Sequence, residues 1–167
     1  MSRLSKGLPV NLNSDAAASE TLWLATVDQT AKYTVGRIFT QEDGKAYVYL
    51  QGVASCAAGS VVSYIVTTPL AATTKLAIVS AVGLVGVAMS AVIAGDFGWF
   101  QIAGLNLNTQ CDTSAAIGQA YIGGTTGGVD STAVVGDIIE GMHISVADAS
   151  GTCGVFMTYP SCSNASN

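Results

Sequence analysis

What most constrains this chain is a run of twenty residues without a charge, LAIVSAVGLVGVAMSAVIAG, at positions 76–95. Twenty apolar residues match the length of a helical membrane span. The make-up of the run points elsewhere. Ser80 and Ser90 interrupt it, Gly83 and Gly86 weaken a helix, and Val and Ile dominate where Leu would be expected. Lys75 is the one flanking base, and the other end turns straight into GDFG at positions 95–98. Buried strands also read as continuous apolar stretches, so the run is expected to enter a β-sheet core. Membrane insertion through residues 76–95 stays as a lesser alternative, and a membrane is not the expected partner.

The rest of the chain carries the same signal. YTVGRIFTQEDGKAYVYLQGV, at 33–53, holds two β-rich runs, 33–39 and 46–53, around the turn pair Asp43-Gly44. In the second run Tyr47, Tyr49 and Gln51 fall on one face, Val48 and Leu50 on the other. Further runs cover 61–66, 82–93 and 99–103. Met142, Ile144 and Val146 then alternate with His143, Ser145 and Ala147 before ASGTCG turns the chain into VFMTYP. Seven or eight short strands with Gly-rich turns predict an all-β sandwich or barrel with an extended N-terminal arm. A weak helix over 16–27, capped by Ser14 or Asp15, is the one helical candidate.

At 167 residues one domain is expected. Residues 1–18 read as an arm with little to bury, 19–160 as a single β-rich domain and 161–167 as a flexible C-terminal tail. GGTTGGVDST, at 123–132, reads as a flexible loop, and it lacks the Lys of a phosphate loop.

Charge narrows the partners. Charged residues are 10 % of the chain, against roughly 25 % in ordinary soluble domains, and such a surface is poorly defended against association. The six bases, Arg3, Lys6, Lys32, Arg37, Lys45 and Lys75, all lie in the first 75 positions, and residues 76–167 carry six acids. A surface without Lys or Arg repels a phosphate backbone, so nucleic acid is not an expected partner of the C-terminal half.

Cys56, Cys111, Cys153 and Cys162 contain no C-x-x-C pair, and His143 is the single His, so no metal or other cofactor is expected. A Cys153–Cys162 disulfide suits an outer surface, but the first twenty residues hold no apolar export segment, and free or buried thiols are expected. No catalytic residue is expected either. His143 has no placed nucleophile beside it, and Asp137 and Glu140 read as a solvated acid pair in a Gly-rich turn.

The aromatic hairpin AGDFGWFQIAG, at 94–104, raises the question of a site. If residues 95–98 form a four-residue loop, Ala94 pairs with Trp99, Val92 with Gln101 and Ser90 with Ala103. Trp99 then lies over Gly86, Ala88 and Ser90, either as an intramolecular lid on small residues or as an anchor in a subunit interface.

Taken in order, EDGKAYVYLQGVASCAAGSVVSY, GLVGVAMSAVIAGDFGWFQIAG, AAIGQAYIGGTTGGVDS and IIEGMHISVADASGTCGVFMTYP resemble the segments of small decoration (cement) proteins and related head proteins of tailed bacteriophages. The resemblance runs from about position 41 to position 160 and rests on Gly86-Val87-Ala88, the hairpin at 95–101 and the Gly-rich strand pair at 141–160.

That resemblance implies a β-rich protein, most often trimeric, made in the host bacterial cytoplasm and placed on the outer surface of the virion capsid. There it ties neighbouring capsomers together, with the major capsid protein as partner. The interface residues expected on this view are Phe97 and Trp99, then Tyr47 and Tyr49, and the arm with Arg3, Lys6 and Pro9. Replacing Trp99 with Ala is then expected to lower assembly more than fold stability. A fibre module that binds host glycan through Trp and Tyr faces is the alternative from another class.

Overall fold

The structure, a computed structural model, describes residues 24–65, 74–75, 82–133 and 136–163. The arm expected over 1–18, with Arg3, Lys6 and Pro9, lies outside the described residues, as do most of the expected helix and residues 164–167. Ten strands occur among the described residues. They are β1 (Ile38–Thr40), β2 (Ala46–Gln51), β3 (Val61–Tyr64), β4 (Thr74–Lys75), β5 (Val82–Ala88), β6 (Phe97–Gln110), β7 (Gly118–Ile122), β8 (Val129–Asp130), β9 (Ile138–Val146) and β10 (Thr152–Ser163).

All ten belong to one sheet in the order β1-β2-β6-β5-β10-β9-β7-β8, with β3 and β4 branching from β5. Every strand pairing is antiparallel. The chain is therefore all-β, as its alternation predicts, in a sheet that ends at β1 and β8 instead of closing.

Two long strands hold the sheet together. β6 pairs with β2 over its first half and with β10 over its second, and β10 pairs with β9 along its other side. The expected strand at 99–103 lies within the first half of this fourteen-residue element. The expected tail also changes: Ser161, Cys162 and Ser163 pair with Leu84, Gly83 and Val82. Pro160 does not end β10, because the β9–β10 register shifts between Met157 and Ser161, and a strand tolerates a missing N–H at such an irregularity.

The continuous apolar runs have the predicted cause. Successive β3 residues feed different clusters: Val61 packs with Val85, Val87, Ile139, Met142 and Val155, whereas Val62 and Tyr64 pack with Val48, Leu50, Phe100 and Ile102. A strand covered on both faces has no polar face to show. β2 behaves likewise, with Val48 and Leu50 in one cluster and Tyr47 and Tyr49 in another. Within the 76–95 run, Val82–Ala88 forms β5, so those residues are sheet and not a helical span. No helix among the described residues is long and apolar enough to cross a membrane.

The hairpin register differs from the expected one. Val87 pairs with Gln101 and Ala88 with Phe100, so the loop runs from Met89 to Asp96 and is longer than four residues. Gly86 and Ala88 consequently lie beneath Phe100 and Ile102, not beneath Trp99. The loop leaves the ladder because it pairs elsewhere. Gly52 at the end of β2 bridges Ala94, and its N–H donates to the Asp96 carbonyl at 2.8 Å.

Candidate functional site

Tyr47, Tyr49 and Trp99 do come together, but inside the molecule. β2 and β6 pair Tyr49 directly with Trp99, and their ring centroids lie 5.2 Å apart. Tyr33 packs on Trp99 at 5.4 Å and Phe39 at 6.3 Å, while Phe97 stacks on Tyr49 at 6.2 Å. Trp99 keeps 2 % of its surface, and Phe97 is half-buried. The lid reading of Trp99 is the one that fits, with aromatic rings in place of small residues as its partners. Within this chain Tyr47, Tyr49 and Trp99 are thus core residues, while Phe97 keeps part of its surface open.

The aromatic cluster is closed by a polar bridge centred on the buried Asp28. The Tyr49 hydroxyl donates to Asp28 Oδ2 at 2.8 Å, and Lys32 Nζ lies 2.5 Å from Asp28 Oδ1. Burial, and then the bond to Asp28, push the Tyr49 phenol well above its ordinary pKa. The bond to Asp28 raises the Lys32 ammonium. Both shifts favour a neutral phenol and a charged amine.

A different face is exposed. From Leu105 the strand reads LNLN, and the usual sheet alternation would put both Leu side chains inside. The structure inverts it: Asn106 is buried at 7 % exposure, while Leu105 and Leu107 stand at 41 % and 58 %. The cause is a buried amide network. Gln101 Nε2 donates to the carbonyls of Ala103 and Leu105, and Asn106 Nδ2 donates to Gln101 Oε1 at 3.0 Å. Asn106 Oδ1 in turn accepts from the Asn108 N–H and the Thr109 hydroxyl.

Gln101 and Asn106 are five apart and in a regular strand would point to opposite faces. Gly104, at φ +85°, makes the switch, and a Cβ there would lie 2.7 Å from the Lys45 side chain.

Leu105 pairs across the sheet with Phe156, which is 48 % exposed, and Gly154 sits between Leu107 and Val146. These four apolar side chains form a continuous outer strip on β6, β10 and β9. Tyr159, held at φ +50°, extends it toward the β1–β2 turn. There a groove of about 480 Å³ lies between Lys45, Leu105, Phe156 and Tyr159. Beside it, Lys45 Nζ lies 2.7 Å from Asp43 and holds that carboxyl below its ordinary pKa. His143 is exposed on β9, opposite Phe156.

Two loops are more fixed than the sequence suggested. GGTTGG is pinned by Asp112, whose carboxylate accepts from the N–H groups of Gly124 at 2.6 Å and Thr125 at 3.0 Å. Asp137, read as solvated beside Glu140, is 3 % exposed. None of the four cysteines is in a disulfide, and all four are buried. Cys153 and Cys162 lie nine positions apart along the single strand β10, roughly 30 Å at the usual rise, which excludes the disulfide between them. Among the described residues no group of His, Cys, Asp or Glu side chains is arranged to hold a metal ion.

The fold and this surface define an all-β scaffold with an apolar strip on one outer face. Compared with known protein families, curated proteins and solved structures, the chain matches none.

Proposed function

We propose that this chain is a structural virion protein that decorates the outer surface of a bacteriophage capsid and clamps neighbouring capsomers. Its partner is the major capsid protein, and it acts as a trimer. One observation carries the reading. The strip of Leu105, Leu107, Phe156 and Val146 lies on three neighbouring strands, β6, β10 and β9, and a buried Gln-Asn network within β6 turns its two leucines outward, so the strip is already formed before any partner arrives. Continuous exposed apolar surface of this kind marks a protein-binding face, and a preformed one loses little entropy on docking.

A protein that binds only the assembled lattice stabilises it by mass action, and three copies around one axis turn weak single contacts into a firm clamp. The acidic, base-free C-terminal half suits a position outside the packaged nucleic acid. The glycan reading calls on Trp and Tyr faces, but Tyr47, Tyr49 and Trp99 are buried, and of the aromatics exposed among the described residues, Phe156 and Tyr159 sit in the apolar strip that supports the capsid reading. The test is titration of the protein against empty capsids, with light scattering on the free protein. Saturation at a fixed stoichiometry by a species near three times 16.9 kDa supports the reading. A monomer that leaves capsids bare removes it.

A further inference from the structure

The outer strip adjoins the one histidine of the chain. His143 stands exposed on β9. In the sheet register Leu105 pairs with Phe156 and Phe156 with His143, so these residues form one row across β6, β10 and β9. Neighbouring strands lie about 4.8 Å apart, and a surface that covers Phe156 therefore reaches the imidazole. Val146, further along β9, belongs to the same strip, so a partner that touches Phe156 and Val146 together covers His143 as well.

The groups around the imidazole are uncharged or already matched. Opposite it on β10 is Phe156, and opposite it on β7 is Gln119, whose amide is spent on the carbonyls of Ala120, Ile139 and Met142. Gly141 and Ser145 flank it along β9. Glu140 stands opposite Ser161, and Asp148, in the turn after β9, accepts from the Ser114 and Gly151 N–H groups. Beyond Leu105 the Lys45–Asp43 pair lines the groove and is matched within itself. Among the described residues His143 takes part in no ion pair. Charge also limits the partner. β6, β9 and β10 all lie within residues 76–167, the half that carries six acids and no base. An acidic surface is repelled from such a face, so the partner that fits brings no carboxylate to His143.

We infer that the partner docked on this strip covers His143 with apolar groups, so that docking requires the neutral imidazole and weakens as the solution turns acid. The inference rests on the proposed capsid-binding role and adds the chemistry of the contact. An imidazolium covered by apolar groups loses its hydration and gains no counter-charge, whereas a neutral imidazole loses far less. The docked state therefore holds fewer protons than the free one. Affinity is full above the ordinary titration range of a histidine, about pH 6.5, and is lost as pH falls through it. Between pH 7.5 and 5.5 the loss amounts to about tenfold.

The experiment co-sediments the full-length protein with empty capsids at pH 5.5, 6.5 and 7.5 and fixed ionic strength. A His143→Gln variant is run on the same capsids, and both proteins are melted at each pH. His143→Gln changes an exposed side chain and keeps a neutral polar group there, so it is expected to melt with the parent. The expected result is parent binding about tenfold weaker at pH 5.5 than at pH 7.5, and variant binding that changes by about twofold or less. Parent binding that ignores pH, that strengthens in acid, or that weakens equally in the variant overturns the inference and leaves the capsid-binding reading standing. Absence of parent binding at every pH overturns that reading, and the inference with it.

Discussion

The Tyr49 hydroxyl and the Asp28 carboxylate, 21 positions apart, meet at 2.8 Å beneath the aromatic cluster. This bond ties the segment leading into the sheet to its second strand, and the Lys32 backbone N–H completes it by donating to the same phenol oxygen at 3.2 Å. Removing one partner of a buried pair leaves the other desolvated and unmatched. Tyr49→Phe keeps the ring packing and is expected to cost about 1–3 kcal/mol in urea unfolding. Lys32→Ala, at an exposed position, is expected to cost less than Tyr49→Phe in the same measurement.

Alkaline pH attacks the same interior. Burial pushes the Cys162 thiol from 9.0 to about 11 and the Tyr64 phenol from 10.0 to about 12. A folded-state pKa above the unfolded one means that the folded chain holds its proton longer. The contribution is complete below pH 9 for Cys162 and below pH 10 for Tyr64, and is lost as pH rises through about 11 and about 12. The urea midpoint is expected to hold steady from pH 7 to 9 and to fall from there to pH 12. Cys162→Ala should make the decline between pH 9 and 11 shallower.

Gly52 marks where the 89–96 loop docks on β2. A Cβ at this position would lie 2.0 Å from the Val92 carbonyl oxygen, a backbone atom that cannot swing away. Gly52→Ala is expected to destabilise by about 3 kcal/mol and to shift amide exchange throughout the loop. Gly44, at φ +84° with open space around it, is the comparison. Gly44→Ala meets only the left-handed backbone penalty, about 1–2 kcal/mol, which the same denaturant melts resolve.

Much of the sheet was legible because alternation and turn chemistry act locally. Asp43-Gly44 announced the β1–β2 turn, and the opposite faces of Tyr47/Tyr49 and Val48/Leu50 are those found. The 94–99 hairpin was misread because its register depends on Gly52, which lies more than forty residues away, drawing the loop off the ladder. The outer strip was passed over because LNLN looks like an ordinary half-buried strand. Its inversion comes from Gln101 reaching across Gly104, a tertiary cause whose sequence trace is a glycine next to alternating Leu and Asn. Trp99 drew attention as an aromatic beside a turn, yet its cover includes Tyr33 and Phe39, sixty or more positions earlier.

The burial of Trp99 within the chain sets the expected effects of substitution. Trp99→Ala empties a site packed by three other rings and is expected to cost about 3–5 kcal/mol of fold stability, read by denaturant unfolding. Leu107→Ser and Phe156→Ser remove exposed side chains, so stability should change by less than about 1 kcal/mol. Their effect belongs to association. If the outer strip is the lattice contact, each is expected to weaken binding to empty capsids at least tenfold, measured by co-sedimentation, because removing a buried apolar anchor costs more than about 1.4 kcal/mol of binding. Trp99→Ala, assayed at a temperature where it is folded, should bind like the parent. Full capsid binding by a Leu107→Ser, Phe156→Ser double variant with a wild-type melting midpoint would place the contact elsewhere on the scaffold and leave the exposed strip without its assigned role.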